Sequence, residues 1–495
     1  MNEKKIFSRI AVGFISLGLI LLIFAGAASC SSKQQNAEIK ITLFHINDSH
    51  SRIDNFAKIA YIVKEEKKKN PNVFFLNGGD NFSGNPIVDQ YEPKGQPMRE
   101  ILNMAGIDAL TLGNHEFDYG QEILKKFMEE ANFPIICANV AVSPDAIIPQ
   151  PKPYVILKTK TGIKIAVLGL IQISSKAKIP SSHPAKLKGL TFTYGVDAAQ
   201  KYKYLKDKAD VFLALSHLGY ETDEKLAMEM GELDIIIGGH SHTLLEQPVM
   251  VNNVLITQAG AYTAYLGRVD ITLKNGKIIN KESSMIKVDT LQEEVKEIKE
   301  KIIAFNNNPR LNEIIATLPE PMKGKPALGN LITDAICNFH NLDIAFHNWG
   351  GTRSNKMPKD IRLKDIYTLL PFGNHIILFE MMPAEIENLV RYDFERHGHL
   401  ELFVSGITYT VKITAEKKVK DVELRDMQGN LLDDSKTYKV GINDYIVSAY
   451  KLDYLNNGKA IKTTVAECLI QYLKEGVDVT KNVNALRAQA KVLPE

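Results

Sequence analysis

A chain of 495 residues exceeds what one hydrophobic core ordinarily organises, so two or more domains are expected. With 45% hydrophobic and 24% charged residues it has the composition of a folded globular protein, and no low-complexity tail or solenoid-period repeat interrupts it. The formal charge of +2 falls to 0 once residues 1–29 are set aside, since these carry Lys4, Lys5 and Arg9 against Glu3; a neutral chain has no electrostatic reason to track a nucleic-acid polymer.

The N-terminus reads as a targeting segment rather than part of a fold. Lys4, Lys5 and Arg9 precede an apolar run from Ile10 to Phe24, which passes into the small residues AGAASC ending at Cys30, the layout of a secretory signal. Cys30 behind Ala27, Ala28 and Ser29 resembles a bacterial lipobox, although Ala27 stands where Leu is usual. The resemblance implies cleavage before Cys30 and a lipid on its thiol. The expected location is therefore outside the cytoplasm, in the periplasm or on the cell surface, held by lipid to a bacterial membrane. The alternative is an uncleaved membrane anchor, because the run is near the shortest length that spans a bilayer. The other cysteines, Cys137, Cys337 and Cys468, are widely spaced without a CxxC, and are expected to be buried apolar residues rather than disulfide partners or metal thiolates.

From Ile39 to about Lys287 short apolar runs alternate with amphipathic stretches. IKITLFHI, NVFFLN, IDALTL, KIAVLGL, DVFLALS and LDIIIGG read as strands, several apolar on both faces. FAKIAYIVKEEKKK and QEILKKFMEEA read as helices between them, which makes the first domain α/β. Residues 290–317 read as a charged amphipathic helix interrupted at NNNP, and PEPMKGKP behind it carries three prolines. The expected division is a signal over 1–29, an α/β domain over 38–289, a helical connector over 290–325 and a smaller α+β domain over 326–495. In the last, LGNLITDAICNFH is helical by period, and LFVSGITYTVKIT, KDVELRD and TYKVGI read as strands.

The polar residues that follow these strands form a pattern. Asp48 and His50, then Asp80, then Asn114, His115 and Asp118, then His217, then His240 and His242 stand at the ends of five different strands. In α/β folds the carboxyl ends of strands converge on one edge, where ligand sites assemble. Each cluster alone has a bland reading: a turn for Asp48-Ser-His50, and a helix start for GNHE with Asn114 as cap and Glu116 in the first turn. Five together point to a metal centre. Imidazoles, carboxylates and an amide oxygen without thiolate suit Zn, Mn, Fe or Co, and two carboxylates with several neutral ligands can hold two divalent ions. The double glycines Gly78-Gly79 and Gly238-Gly239 are expected to let backbone approach the metals.

DSH, GGD, GNHEFD, SHLG and GGHSH together resemble the calcineurin-like metallophosphoesterases, and with the carboxyl-terminal half the chain resembles the 5'-nucleotidase and UDP-sugar hydrolase family. The resemblance implies a layered α/β sandwich of the metallophosphoesterase type with a second, smaller α+β domain. Asp48, His50, Asp80 and His242 resemble the ligands of one ion, and Asp80, Asn114, His217 and His240 those of the second, with Asp80 bridging. Such a pair activates a water and takes up phosphoryl charge during in-line displacement. His115 and Asp118 match the family's dyad: the histidine meets the phosphate or leaving oxygen, and the aspartate orients it and raises its proton affinity. Glu116 is left with a helix-cap role.

In the second half, Asn348-Trp-Gly-Gly-Thr-Arg353 resembles the family's Asn-Gly-Gly-Gly-x-Arg with Trp349 replacing a glycine, which implies that Arg353 meets phosphate or carboxylate-like oxygens. LLPFGN makes Phe372 one wall of a base-stacking slot, and GINDYI makes Tyr445 the opposite wall. Two departures stand out: DYIVSAYKLDYLNNG lacks the family's Gly-Gly-Asp turn, and MKGKP offers no arginine before the following GN. Asp453 and Lys325 are the positional substitutes. The resemblance implies hydrolysis of nucleoside 5'-monophosphates, with UDP-sugars or 2',3'-cyclic nucleotides as alternatives. The reading of another class is a catalytically silent nucleotide-binding lipoprotein.

Overall fold

The computed structural model describes residues 38–174, 177–476 and 483–493. The signal segment and Cys30 lie outside them. Among the described residues no helix is long and apolar enough to cross a membrane.

The first domain is built on two six-stranded sheets packed face to face. One has the order Lys277–Lys287, Tyr265–Lys274, Ile39–Ile46, Val73–Asn77, Ala109–Thr111, Ile135–Ile136; the other runs Val249–Val251, Val254–Thr257, Ile235–Ile237, Val211–His217, Lys164–Ile171, Tyr154–Lys158. Alternation along each strand sorts its side chains between two cores. In the strand Ile39–Ile46, Ile41 and Leu43 face the second sheet while Phe44 and Ile46 face helices. In Lys164–Ile171, Ile165 and Val167 meet the first sheet while Ala166, Leu168 and Leu170 meet the other helix layer. Strands with two buried faces explain the continuous apolar runs. The helices Phe56–Lys69, Gln96–Ala105 and Gln121–Glu130 cover the first sheet; Gly195–Ala199 and Tyr220–Glu229 cover the second. The result is the layered α/β sandwich expected from the sequence.

The connector divides between the two halves. Lys296–Asn306 is helical and seats Ile298, Ile302 and Phe305 in the core of the first domain. Residues 314–317 are not helical as expected. The β-branched pair Ile314 and Ile315 extends instead, and Ile314–Thr317 pairs antiparallel with Asp360–Arg362 of the second half.

The second half holds a five-stranded sheet in the order Leu402–Ser405, Ile344–Asn348, Tyr438–Asn443, His375–Met381, Lys459–Thr464, and a three-stranded sheet of Val419–Asp426, Ile407–Ile413 and Ala488–Val492. Lys325–His340 and Val465–Lys474 pack on one face of the larger sheet and Pro383–His397 on the other. Ile344–Asn348 and Tyr438–Asn443 are parallel neighbours, so Asn348 and Asn443 end at the same sheet edge. Tyr445 lies two residues beyond, on the short helix Asp444–Ala449. Ile87 packs against the apolar cores of both halves. Cys137 and Cys468 are buried and Cys337 only partly so; all three are free thiols.

Candidate metal centre and active site

The five strand ends meet at one edge of the sandwich. Asp48, His50, Asp80, His217 and Asn114 are almost wholly buried there. His242 Nε2 lies 3.3 Å from Asp48 Oδ1 and 2.9 Å from His50 Nε2. His217 Nε2 lies 3.0 Å from Asp80 Oδ2, and His240 Nδ1 3.0 Å from Asn114 Oδ1. Three groups have ligand atoms within 4.8 Å of one another: Asp48-His50-His242, Asp80-His217-His240 and, overlapping both, His50-Asp80-His115. Asp80 stands between the first two, with Oδ2 4.0 Å from His50 Nε2.

The donor set fits two divalent ions. His50 Nδ1 donates to Ser83 O at 3.0 Å and His217 Nδ1 to Gly78 O at 2.6 Å, which turns the Nε2 lone pair of each ring inward. Buried Asp48 Oδ1 and His217 Nε2 have no hydrogen-bond partner among the described residues, although Asp48 Oδ1 faces His242 Nε2 and His217 Nε2 faces Asp80 Oδ2 in this cluster. Asp48, His50, Asp80, His240 and His242 all take left-handed backbone with φ between 44° and 74°. Each such residue costs about 1–3 kcal/mol, a strain that persists where the surroundings over-determine it.

The electrostatics agree. Burial opposes ionisation of Asp80, but His217 and His115 outweigh it and hold the carboxyl well below its usual range. Burial likewise opposes charging of His217, yet Asp80 drives it up to about 10. A cation bound at these atoms would displace that proton.

Several scaffold residues were not legible as such in the sequence. Glu116 does not serve as a helix cap. Its buried carboxylate accepts from Gly113 N at 2.6 Å, Asn81 N at 2.7 Å and Asp80 N at 3.0 Å, tying the Gly-Gly-Asp turn to the Gly-Asn-His turn. Asn114 makes no side-chain cap bond to the turn His115–Phe117, and its carbonyl oxygen points at His240 instead. Asn47 Nδ2 donates to Asp48 Oδ2 at 2.7 Å. The glycines serve this scaffold more than direct approach to a metal: a Cβ on Gly239 would lie 2.8 Å from Gly78 O and 2.9 Å from His217 Nδ1.

His115 projects toward Asp80, with Nε2 3.9 Å from Oδ2, while Nδ1 lies 2.6 Å from Asp118 Oδ2. Burial lowers the proton affinity of His115, but Asp118 and Asp80 outweigh it and raise the imidazole above its ordinary value. Ser182 Oγ donates to Asp118 Oδ1 at 3.4 Å, and Lys186 Nζ donates to the Asp118 carbonyl.

A cleft of about 360 Å³ opens over these groups between the two halves; Asp80, His115 and His240 lie on one wall and Asn348, Arg353, Phe372 and Tyr445 on the other. Ser181, Ser182, His183, Lys186 and Asn374 also line it, and none was singled out by the sequence motifs. Phe372 lies parallel to the His115 imidazole, with centroids 5.7 Å apart and an interplanar angle of 8°. The Arg353 guanidinium sits 5.6 Å from the Phe372 ring centre. Phe372 and Tyr445 share the cleft, but among the described residues no ring contact joins them. The positional substitutes are not among the residues that line it: Lys325 Nζ lies 5.1 Å from the Trp349 ring centre, and Asp453 begins the turn Asp453–Asn457.

Residues 41–244 match the family model of the calcineurin-like phosphoesterases, and residues 310–452 that of the 5'-nucleotidase C-terminal domain. The chain belongs to the 5'-nucleotidase family of calcineurin-like phosphoesterases. It is 28% identical over 468 residues to a trifunctional nucleotide phosphoesterase of Bacillus subtilis, a match covering 82% of this chain and 32% of that protein, so it spans about a third of that relative's length. It is 28% identical to a 5'-nucleotidase of Diplobatis ommata, covering 83% of this chain and 82% of the other. The crystal structure of a 5'-nucleotidase precursor from Thermus thermophilus superposes with a TM-score of 0.74 at 26% identity, over 92% of this chain and all of that one. Family and site together make this 5'-nucleotidase-family protein a metal-dependent phosphoesterase.

Proposed function

We propose that the protein hydrolyses nucleoside 5'-monophosphates to nucleoside and phosphate, with Asp48, His50, Asp80 and His242 holding one divalent ion and Asp80, Asn114, His217 and His240 a second. Zn, Mn, Fe and Co all suit these ligands. The observation that carries the reading is that one cleft is lined by members of the ligand cluster, the His115–Asp118 pair, Arg353 and two aromatic side chains. When bound, the ions supply the nucleophilic water and charge for the phosphoryl oxygens.

The chain's own groups supply the rest. Asp118 holds the proton on His115 Nδ1, so Nε2 faces the cleft, where a protonated ring can give its proton to the departing 5'-oxygen. Arg353 offers a planar cation to phosphate or carboxylate-like oxygens. Phe372 and Tyr445 offer ring surface to a base, a contact contributing about 1–3 kcal/mol and tolerant of base identity. The location goes with the N-terminal segment: an exported enzyme held by lipid at Cys30, acting on nucleotides outside the cytoplasm.

Phosphate release from AMP, UMP, UDP-glucose, a 2',3'-cyclic nucleotide and a plain sugar phosphate, with and without added Mn or Zn, tests the reading. Metal-dependent release that favours AMP and UMP is expected. Preference for the sugar phosphate would reject the base-binding role of Phe372 and Tyr445.

A further inference from the structure

Behind the nucleoside side of the cleft lies a buried polar trio that the proposed chemistry does not use. His347 and Asn348 end the strand Ile344–Asn348, and Asn443 ends its parallel neighbour. His347 and Asn443 are 1% and 0% exposed. The orientation of the Asn443 amide follows from the helix after it: Asn443 Oδ1 accepts from Ile446 N at 3.0 Å and so caps Asp444–Ala449, the helix that carries Tyr445. Its Nδ2 therefore donates, to Asn348 Oδ1 and to His347 Nδ1, each at 2.9 Å.

Two consequences follow from donor and acceptor matching. His347 accepts at Nδ1 and carries its proton on Nε2; burial pushes its pKa down to about 4 against the Gly351 backbone, so the ring is neutral. Asn348 has its oxygen engaged inside the domain, so the atom it presents to the cleft is the amide Nδ2, a donor.

The surroundings leave little freedom for another arrangement. A Cβ on Gly351 would lie 2.7 Å from His347 Nε2 and 2.8 Å from Asn348 Oδ1. Beside His347 a small open pocket of about 10 Å³ is lined by Gly351 and by Phe372, Gly373 and Asn374. The trio thus includes Asn348, caps the helix that carries Tyr445 and borders the pocket lined by Phe372.

We propose that His347 and Asn443 are positioning residues that lock Asn348 as a hydrogen-bond donor, so that the pocket selects a base presenting an acceptor, a ring nitrogen or a carbonyl oxygen, at that edge. The inference rests on the nucleotide reading above.

The test compares H347F, which removes the acceptor for Asn443, with H347N, whose side-chain oxygen can stand where Nδ1 stood. The metal-loaded full chain is assayed with AMP and with p-nitrophenyl phosphate, which carries no base. In H347F the ratio of kcat/KM for AMP over p-nitrophenyl phosphate is expected to fall about tenfold through KM, with the proton-donating step and kcat kept; H347N restores the ratio to within about twofold. An unchanged ratio in H347F, or an H347N ratio as low as that of H347F, overturns the proposal. Should H347F lose both activities together, N443D carries the same comparison with the same two readings, since its carboxylate keeps an acceptor for Ile446 N but offers no donor for Asn348. A wild type indifferent between the two substrates would reject the nucleotide reading itself, and the inference with it.

Discussion

His115 Nδ1 and Asp118 Oδ2 stand 2.6 Å apart across a single turn, in a stretch where Asn114 faces the metal ligands and Glu116 faces the scaffold. Four neighbouring residues thus have separate tasks. H115A is expected to lower kcat by about 100-fold or more, within the range for loss of a general acid, with both metals retained. N114A is expected to loosen one ion. Elemental analysis beside kcat separates the two; loss of metal in H115A would move that residue into the ligand set.

The Asp118 carboxylate acts only through His115. D118N keeps the shape of the side chain but removes the charge that raises the imidazole, so kcat is expected to fall by about tenfold or more, with KM for AMP little changed. A D118N variant with wild-type kcat would dismiss the dyad.

Glu116 offers a test of the scaffold. Replacing it with Gln leaves one carbonyl oxygen for three converging backbone N–H groups and turns an amide toward at least one of them. E116Q is expected to lose about 3 kcal/mol of stability, read by denaturant unfolding with metal concentration fixed. A change within about 0.5 kcal/mol, the range of ordinary surface substitutions, would return Glu116 to a cap role.

Two buried histidines outside the ligand cluster set an acid limit. Burial lowers His45 to about 3 and His347 to about 4, both below the ordinary value of 6.5. Each ring binds its proton more readily unfolded than folded. The stability linked to it is therefore complete above pH 6.5 and is lost as pH falls through the folded value. For His347 this amounts to about 3 kcal/mol between those limits. H347N is expected to show a shallower loss of unfolding free energy than wild type from pH 6.5 to 4 in the metal-free protein; parallel curves would contradict it.

Much of the site could be read from the sequence because its ligands sit where an apolar run stops. One such strand end has an ordinary turn or cap explanation, but five that end in Asp, Asn or His do not, so Asp48, Asp80, Asn114, His217 and His240 stood out together. Glu116 did not, because a glutamate one turn into GNHEF has an ordinary helix-start explanation, and only folding brings Gly113, Asp80 and Asn81 around it. Residues 314–317 misled for a related reason: IIAT fits helical spacing, and its strand character depends on Asp360–Arg362, far along the chain. The stacking of Phe372 on His115 depends on how the two halves meet, and no local pattern carries that.

Phosphate release is expected to require two ions at the five strand ends. The metal-free full chain can be titrated with Mn or Zn while metal content and phosphate release from AMP are followed together. Release is expected to be absent after chelation and to reach its maximum at two ions per chain. Full release from the chelated protein, or a maximum reached at one ion, would contradict it.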